Sequence, residues 1–287
     1  MNCRWIVSST YMPISTRFRL TPNDCKRAAA RLLDAAGVNR AGFAIQKMAY
    51  GNFIRAVNYH SIRHEDVPNF RRHLEFYAEH FVSVDLSTLD RFLHDGEWIS
   101  DRPGIILSFD DGHRSHFETA SPLIEEFGFT GWFFVPAGHV HIGVDADEKE
   151  SLTVDQLRTI CARHVVGSHS VNHVRLRDSM PVEELRSEIR DSRKILERLT
   201  DKQIDSFCWV GGEEDTYSRK AAEFVRQSYR LGFMTNNAVI QRSTDPLQLQ
   251  RTNVEASDPL WLVRFQLSGI MDLYYAPKRR RINRLTA

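Results

Sequence analysis

The sequence predicts an α/β fold built on parallel strands. Between residues 54 and 235, short β-rich runs alternate with amphipathic helices, as strand–helix–strand units require. No internal repeat and no Gly/Ser-rich linker divides that stretch. Three of the predicted strands end in polar, ligand-type residues, and functional side chains of parallel α/β folds collect at strand ends.

The elements follow in order. Residues 1–20 show no period. Thr21-Pro22-Asn23-Asp24 is a helix start: Thr21 can cap, Pro22 suits the first turn and Asp24 faces the positive end of the dipole. Ala28, Leu32, Leu33 and Ala36 give a stripe and Gly37 a stop, so 21–37 is a helix outside the main domain. The main pattern then runs strand 54–59, helix 69–80 with Phe70, Leu74 and Tyr77 on one face, strand 81–85 and helix 86–93. It continues with strand 105–109, helix 115–127, strand 131–135, helix 153–161 and strand 165–167. A long amphipathic helix 181–199, strand 206–210, helix 218–231 and strand 233–235 complete it. Leu262, Phe265, Ile270 and Leu273 mark a packed helix broken near Ser268-Gly269. The expected division is an N-terminal extension with one helix (1–50), the main domain (51–275) and a basic tail (276–287) that includes Lys278-Arg279-Arg280-Arg281.

Composition narrows the function. The 287 residues are 42% hydrophobic and 26% charged, ordinary for a globular protein with a sizeable core. The 38 basic and 37 acidic residues leave a net charge of +1, which argues against a globally basic nucleic-acid binder. No apolar run reaches the length of a membrane helix. Cys3, Cys25, Cys161 and Cys208 are scattered without a CxxC pair, which gives no cysteine zinc site and suggests free thiols. The apolar stretch at residues 5–7 is too short for a secretory segment, so a cytoplasmic location is expected. Oligomeric state is not legible.

The chemistry lies at the strand ends. Ser108-Phe109-Asp110-Asp111-Gly112 sets two carboxylates side by side after an apolar strand, where their repulsion favours a cation. The plain alternative is a solvated Asp-Asp-Gly turn. His169-Ser170-Val171-Asn172-His173 places two imidazoles four apart, which on a helical turn share one face. Two His and a carboxylate form a common divalent-metal set. Asn58-Tyr59-His60-Ser61 adds His60 at a third strand end as a candidate acid or base.

These motifs resemble the polysaccharide deacetylases of the NodB-homology type, also called carbohydrate esterase family 4. Residues 108–112 match its Thr/Ser-Phe-Asp-Asp-Gly, and 169–173 its His-Ser/Thr-x-x-His. Gly131-Trp132-Phe133-Phe134-Val135 is similar to its Ala-Thr-Phe-Phe-Val strand, and Tyr59-His60 looks like the opening of many bacterial members. The resemblance spans roughly residues 54–235 and implies a distorted (β/α)7-8 barrel. It also implies a divalent metal, usually zinc, on Asp111, His169 and His173, with Asp110 as the base that activates the attacking water. The usual third motif, Arg-x-Pro-Tyr-Gly or Phe-x-Tyr-Pro-Tyr-Gly, reads Phe207-Cys208-Trp209-Val210-Gly211-Gly212 here, which keeps the Phe, an aromatic and a Gly but has no Pro and no Arg, so the arginine that orients the base is missing there. Glu213, Glu214 and Asp215 follow and suggest an acidic groove wall. The usual late histidine is absent too, and His60 matches the position it takes in circularly permuted members, which nominates it as the acid. Leu249-Gln250-Arg251-Thr252 resembles a late Leu-x-Arg segment, in which Arg251 orients Asp110, binds substrate or is merely structural. Trp209, Gly211 and Arg251 are the candidate substrate contacts, with Trp132 and Trp261 as further candidates for stacking on sugar rings.

The expected activity is therefore removal of an N-acetyl group from an amino sugar in a polysaccharide, oligosaccharide or glycan precursor. Two alternatives stand beside it. One is an O-acetyl esterase or non-sugar amidase on the same fold. The other is a non-catalytic carbohydrate-binding relative, motivated by the missing arginine, proline and late histidine.

Overall fold

The computed structural model describes residues 22–141 and 150–287, with side chains of the first helix from residue 27 onward. The unperiodic stretch 1–20, and Cys3 with it, lies outside the described residues, as does the Cys25 side chain.

Two helices precede the barrel where the pattern suggested one: α1 (Pro22–Ala35) and α2 (Val38–Tyr50), joined at Gly37 in the left-handed region (φ 75°). The barrel elements follow as β1 (Ile54–Tyr59), α3 (Val67–His80), β2 (Val82–Ser83), α4 (Leu86–His94), β3 (Gly104–Phe109), α5 (Ser121–Glu126) and β4 (Gly131–Val135). Next come α6 (Val154–Cys161), β5 (Val165–Ser168), α7 (Val182–Arg186), α8 (Ser192–Thr200), β6 (Ser206–Cys208), α9 (Arg219–Ser228) and β7 (Leu231–Met234). β8 (Leu249–Gln250), β9 (Thr252–Asn253), α10 (Leu260–Leu267) and α11 (Ile270–Thr286) end the chain. Caps fix several starts: Asp85 accepts from Thr88, Ser218 from Ala221, and Thr153 with Gln156 forms a full capping box on α6. α9 stops at Ser228, three residues short of the expected end, because Leu231 already belongs to β7.

The strands run parallel in the order β8-β7-β6-β5-β4-β3-β1-β9, with β2 a short addition beside β3. β8 and β9 are consecutive pieces of one segment, separated only by Arg251. One piece pairs with β7 and the other with β1, so the sheet curls into a nearly closed barrel. Period-2 alternation sorts the side chains. Outward residues such as Val57, Leu107, Phe133, Val166 and Phe207 pack under the surrounding helices. Inward residues, among them Ala56, Ile106, Trp132, Phe134, Cys208, Phe233 and Leu249, form the interior, and Leu89, Phe92 and Leu93 of α4 join that cluster. Trp132 is fully buried there, with Nε1 donating to the Val84 carbonyl, so it is a core residue and not a groove residue.

The C-terminal helices break where expected, at Gly269 (φ 91°). Leu262, Phe265 and Met271 pack with Ala30 of α1, and Trp261 belongs to this cluster, under Arg27 and away from the barrel mouth. Leu273, expected in the core stripe, is 78% exposed, because Asp272 turns inward to the buried Arg55 of β1. The basic run at 278–281 is helix, continuous with α11. Among the described residues no helix is long and apolar enough to cross a membrane.

At the barrel centre Arg251 reaches inward from the closing segment. Its Nη1 donates to Asp110 Oδ1 at 2.6 Å and its Nη2 to Asp110 Oδ2 at 2.8 Å. Nη1 also meets Ser108 Oγ at 3.1 Å, Nη2 meets Thr235 Oγ1 at 3.2 Å, and the guanidinium lies over the Phe134 ring. Both partners are buried, with 1% and 3% exposure. Breaking such a pair leaves an uncompensated buried carboxylate, which costs about 3–5 kcal/mol. Arg251→Met is therefore expected to lose about that much stability at neutral pH in urea denaturation. Without the guanidinium, burial raises the folded-state pKa of Asp110 above its unfolded value. The deficit should then shrink as the pH falls and Asp110 takes up a proton.

Candidate active site

Backbone ladders continue past the strands and set the functional residues in place. Asp110 N–H donates to the Tyr59 carbonyl (2.9 Å), His169 N–H to Val135 (3.0 Å), Trp209 N–H to Phe233 (3.0 Å) and Arg251 N–H to Met234 (2.7 Å). Each residue thus stands at the C-terminal rim of the barrel. Asn58, His60, Asp110, Asp111, His169, His173, Trp209, Gly211 and Arg251 all line one cleft of about 840 Å³.

The two aspartates do not share one environment. Asp110 points into the barrel onto Arg251. Burial pushes its carboxyl up, but the Arg251 charge, with help from His169 and His60, outweighs this and holds it below the usual carboxylate range. Asp111 turns the other way, in the left-handed region (φ 76°), and is partly exposed. Its Oδ1 lies 2.9 Å from His173 Nε2 and 3.5 Å from His169 Nε2, while Oδ2 lies 3.6 Å from His113 Nε2. Burial raises the Asp111 carboxyl, and contacts to His113, His169 and His173 more than reverse this.

The histidine pair meets by a different route from the helical turn its spacing suggested. Residues 169–173 form a loop with two left-handed residues, Ser170 (φ 65°) and His173 (φ 55°). His169 Nδ1 donates to the Cys208 carbonyl at 2.9 Å, which leaves Nε2 facing Asp111. The ligand atoms of Asp111, His169 and His173 all lie within 4.8 Å of one another. Two imidazole nitrogens and a carboxylate converging on the cleft suit a divalent cation with open positions for water and substrate. Asp110, His169 and Cys208 also lie close together. That set does not suit a metal, since burial pushes the Cys208 thiol well up and Arg251 occupies Asp110.

His60 sits across the cleft, partly exposed, with Nδ1 3.2 Å from Glu255 Oε1. That hydrogen bond raises its pKa; burial opposes it, and the charges of Asp110, Glu255 and Asp111 add to the rise. Glu255 is held in turn by Asn253 Nδ2 (3.2 Å), which connects to Asn58 (2.9 Å). Sequence reasoning missed Glu255. Its one signal is position, two residues beyond the closing segment, and that segment was not legible as a strand.

Arg251 was open between orienting Asp110 and binding substrate. Its two terminal nitrogens are spent on Asp110, Ser108 and Thr235, so it supplies the arginine that the third motif lacks, from a different strand. Trp209 is almost fully buried and packs at a tilt against Tyr217, so only a small part of it borders the cleft. Gly211 (φ 83°) turns the wall where a Cβ would meet Glu213 and Thr216 at 3.1 Å. The acidic wall is not a free negative surface: Glu213 pairs with Arg175, Glu214 with Arg281 of α11, and Asp215 with Arg177. The basic run thus reaches the cleft wall instead of trailing in solvent.

Residues 99–229 match the family model described as polysaccharide deacetylase. No curated protein sequence matches the chain. Among solved structures, the chain is similar to the Streptococcus pyogenes deacetylase PplD in complex with acetate, at 19% identity and a TM-score of 0.63, over 75% of this chain and 98% of that one. IcaB from Ammonifex degensii is similar at 19% identity and a TM-score of 0.60, over 78% and 98%. A de-N-acetylase from Aggregatibacter actinomycetemcomitans is similar at 14% and 0.61, over 74% and 99%. The family match over residues 99–229, the motifs at the rim and the barrel together liken the chain to the polysaccharide deacetylases.

Proposed function

We propose that the chain is a metal-dependent hydrolase that removes the N-acetyl group from an amino sugar in a polysaccharide, oligosaccharide or glycan precursor. The observation that carries this reading is the division of labour on one cleft floor. Asp111, His169 and His173 converge as a ligand set, Asp110 is held ionised beside them, and His60 faces them.

A divalent cation, when bound by Asp111, His169 and His173, supplies Lewis acidity toward an acyl oxygen and toward water. Zinc suits the two imidazoles and single carboxylate, although other divalent ions share such sets. Asp110 is the general base. Arg251 occupies one lone pair on each of its oxygens and leaves the others to accept a proton from water. His60 is the general acid. With Nδ1 directed at Glu255, its Nε2–H is the one available to protonate the departing amine. The chain's own partner is then a saccharide lying along the cleft, with Gly211 and Trp209 in its wall.

The metal and the substrate class are tested together. Acetate release from N-acetylglucosamine oligomers should stop on chelation and return when Zn2+ is restored, and should exceed turnover of an aryl acetate or a small cyclic amide. Faster turnover of the ester or the cyclic amide would transfer the assignment to an O-acetyl esterase or a non-sugar amidase. Saturable oligomer binding with no acetate released under any metal would make the chain a non-catalytic relative.

The acid assignment carries its own pH signature. Because Glu255 raises the His60 pKa, the proton on His60 persists above the ordinary histidine range, and activity falls only as pH climbs through the raised value. Glu255→Gln should move the alkaline limb of kcat/KM to lower pH, and His60→Ala should cost about 10²–10⁴ in rate. An unmoved limb together with a near-normal His60→Ala rate would remove His60 from the mechanism.

A further inference from the structure

Glu188 is a buried carboxylate that the proposed chemistry does not use, 5% exposed on the long helix behind the site. That helix is continuous from α7 to α8 but passes through a π-type turn at Ser187–Asp191. A π-turn adds a residue to one turn and re-aims its side chains, and such turns recur at functional sites. Here Glu188 Oε2 accepts the backbone N–H groups of Val171 and Asn172, both at 2.9 Å, and Oε1 accepts Asn172 Nδ2 at 2.6 Å. Backbone and amide N–H groups converging on one carboxyl make a well-directed set of bonds.

The two backbone donors belong to the loop between His169 and His173. Its carbonyls are taken from the other side: Ala137 N–H bonds Ser170 O at 3.0 Å and Gly138 N–H bonds Val171 O at 2.8 Å. Two residues of this loop, Ser170 and His173, sit in the left-handed region, which costs free energy for residues other than glycine. His169 has a second anchor at the Cys208 carbonyl. Among the described residues the polar contact of the His173 ring is Asp111 alone, so its aim depends on the loop backbone.

We propose that Glu188 is a positioning residue for the metal-ligand set. It holds the strained 170–173 backbone so that the His173 imidazole meets His169 and Asp111. The inference rests on reading Asp111, His169 and His173 as ligands. Outer partners that orient ligands typically contribute 10–100-fold in metal affinity.

The test uses the full chain and three variants. Glu188→Ala removes all three hydrogen bonds. Glu188→Gln keeps one carbonyl oxygen for the two backbone donors and loses the acceptor facing Asn172 Nδ2. Leu196→Ala, a core deletion on α8, is the control for plain loss of stability. Zn2+ dissociation constants are measured by competition with a chromophoric chelator, and amide exchange at Val171 and Asn172 is followed in metal-free protein. Glu188→Ala should weaken Zn2+ binding about 10–100-fold and lose protection at both amides. Glu188→Gln should largely restore both, and Leu196→Ala should lower Tm without weakening Zn2+ binding. If Glu188→Ala proves unstable, a Glu188→Gln that loses affinity as severely as it loses Tm would overturn the proposal. So would a folded Glu188→Ala with wild-type Zn2+ affinity. A wild-type chain that binds no divalent ion would overturn the ligand reading, and the positioning role with it.

Discussion

The Arg251–Asp110 pair at the centre of the barrel is the interaction on which the rest depends. It joins the closing segment to the strand that carries the Asp-Asp motif, at a point where both groups are almost fully buried. Two buried charges are stable together only when geometry and hydrogen bonds offset the loss of hydration. Here the fork is bidentate, Ser108 and Thr235 take further donors, and the Phe134 face lies beneath. The same contact finishes the fold and keeps the proposed base ionised. Closure and chemistry are therefore not separable properties in this chain.

The pair also accounts for the unusual third motif. An arginine at position 208 would bring a second guanidinium to a carboxylate that already has one. Cys208 instead approaches both Asp110 oxygens at 4.0 Å as a small, neutral thiol. Its carbonyl does separate work by fixing the His169 tautomer. With Cys208 and Arg251 considered together, the cation that meets Asp110 comes from the closing segment and not from β6.

Much of the site was legible because its residues come in short contiguous runs at strand ends. Asp110, Asp111, His169, His173 and His60 all stand where the β/α alternation put them, and all line the cleft. What was not legible depends on contacts across the fold. The segment 249–253 lacks an apolar alternation because, of its inward positions, only Leu249 is apolar, while Arg251 and Asn253 bond the polar Asp110 and Asn58. Glu255 and Glu188 are ordinary acidic residues in sequence, and only the fold brings them to His60 and to the 170–173 loop. α2 was hidden for a similar reason. Gly42, a poor helix former, sits where a Cβ would come within 2.5 Å of the Ser268 carbonyl, so close packing and not propensity selects it. The two imidazoles of 169–173 meet through a loop and not the expected helical turn, since left-handed residues also bring two rings to one point.

The proposed chemistry makes Asp110, held ionised by Arg251, the base beside a metal bound by Asp111, His169 and His173. The most direct test is Asp110→Asn, with bound metal quantified on the same sample used for acetate release from N-acetylglucosamine oligomers. A folded protein with wild-type metal content and a rate lower by about 10²–10⁴ is expected. A fully metal-loaded Asp110→Asn that releases acetate at close to the wild-type rate would contradict that chemistry.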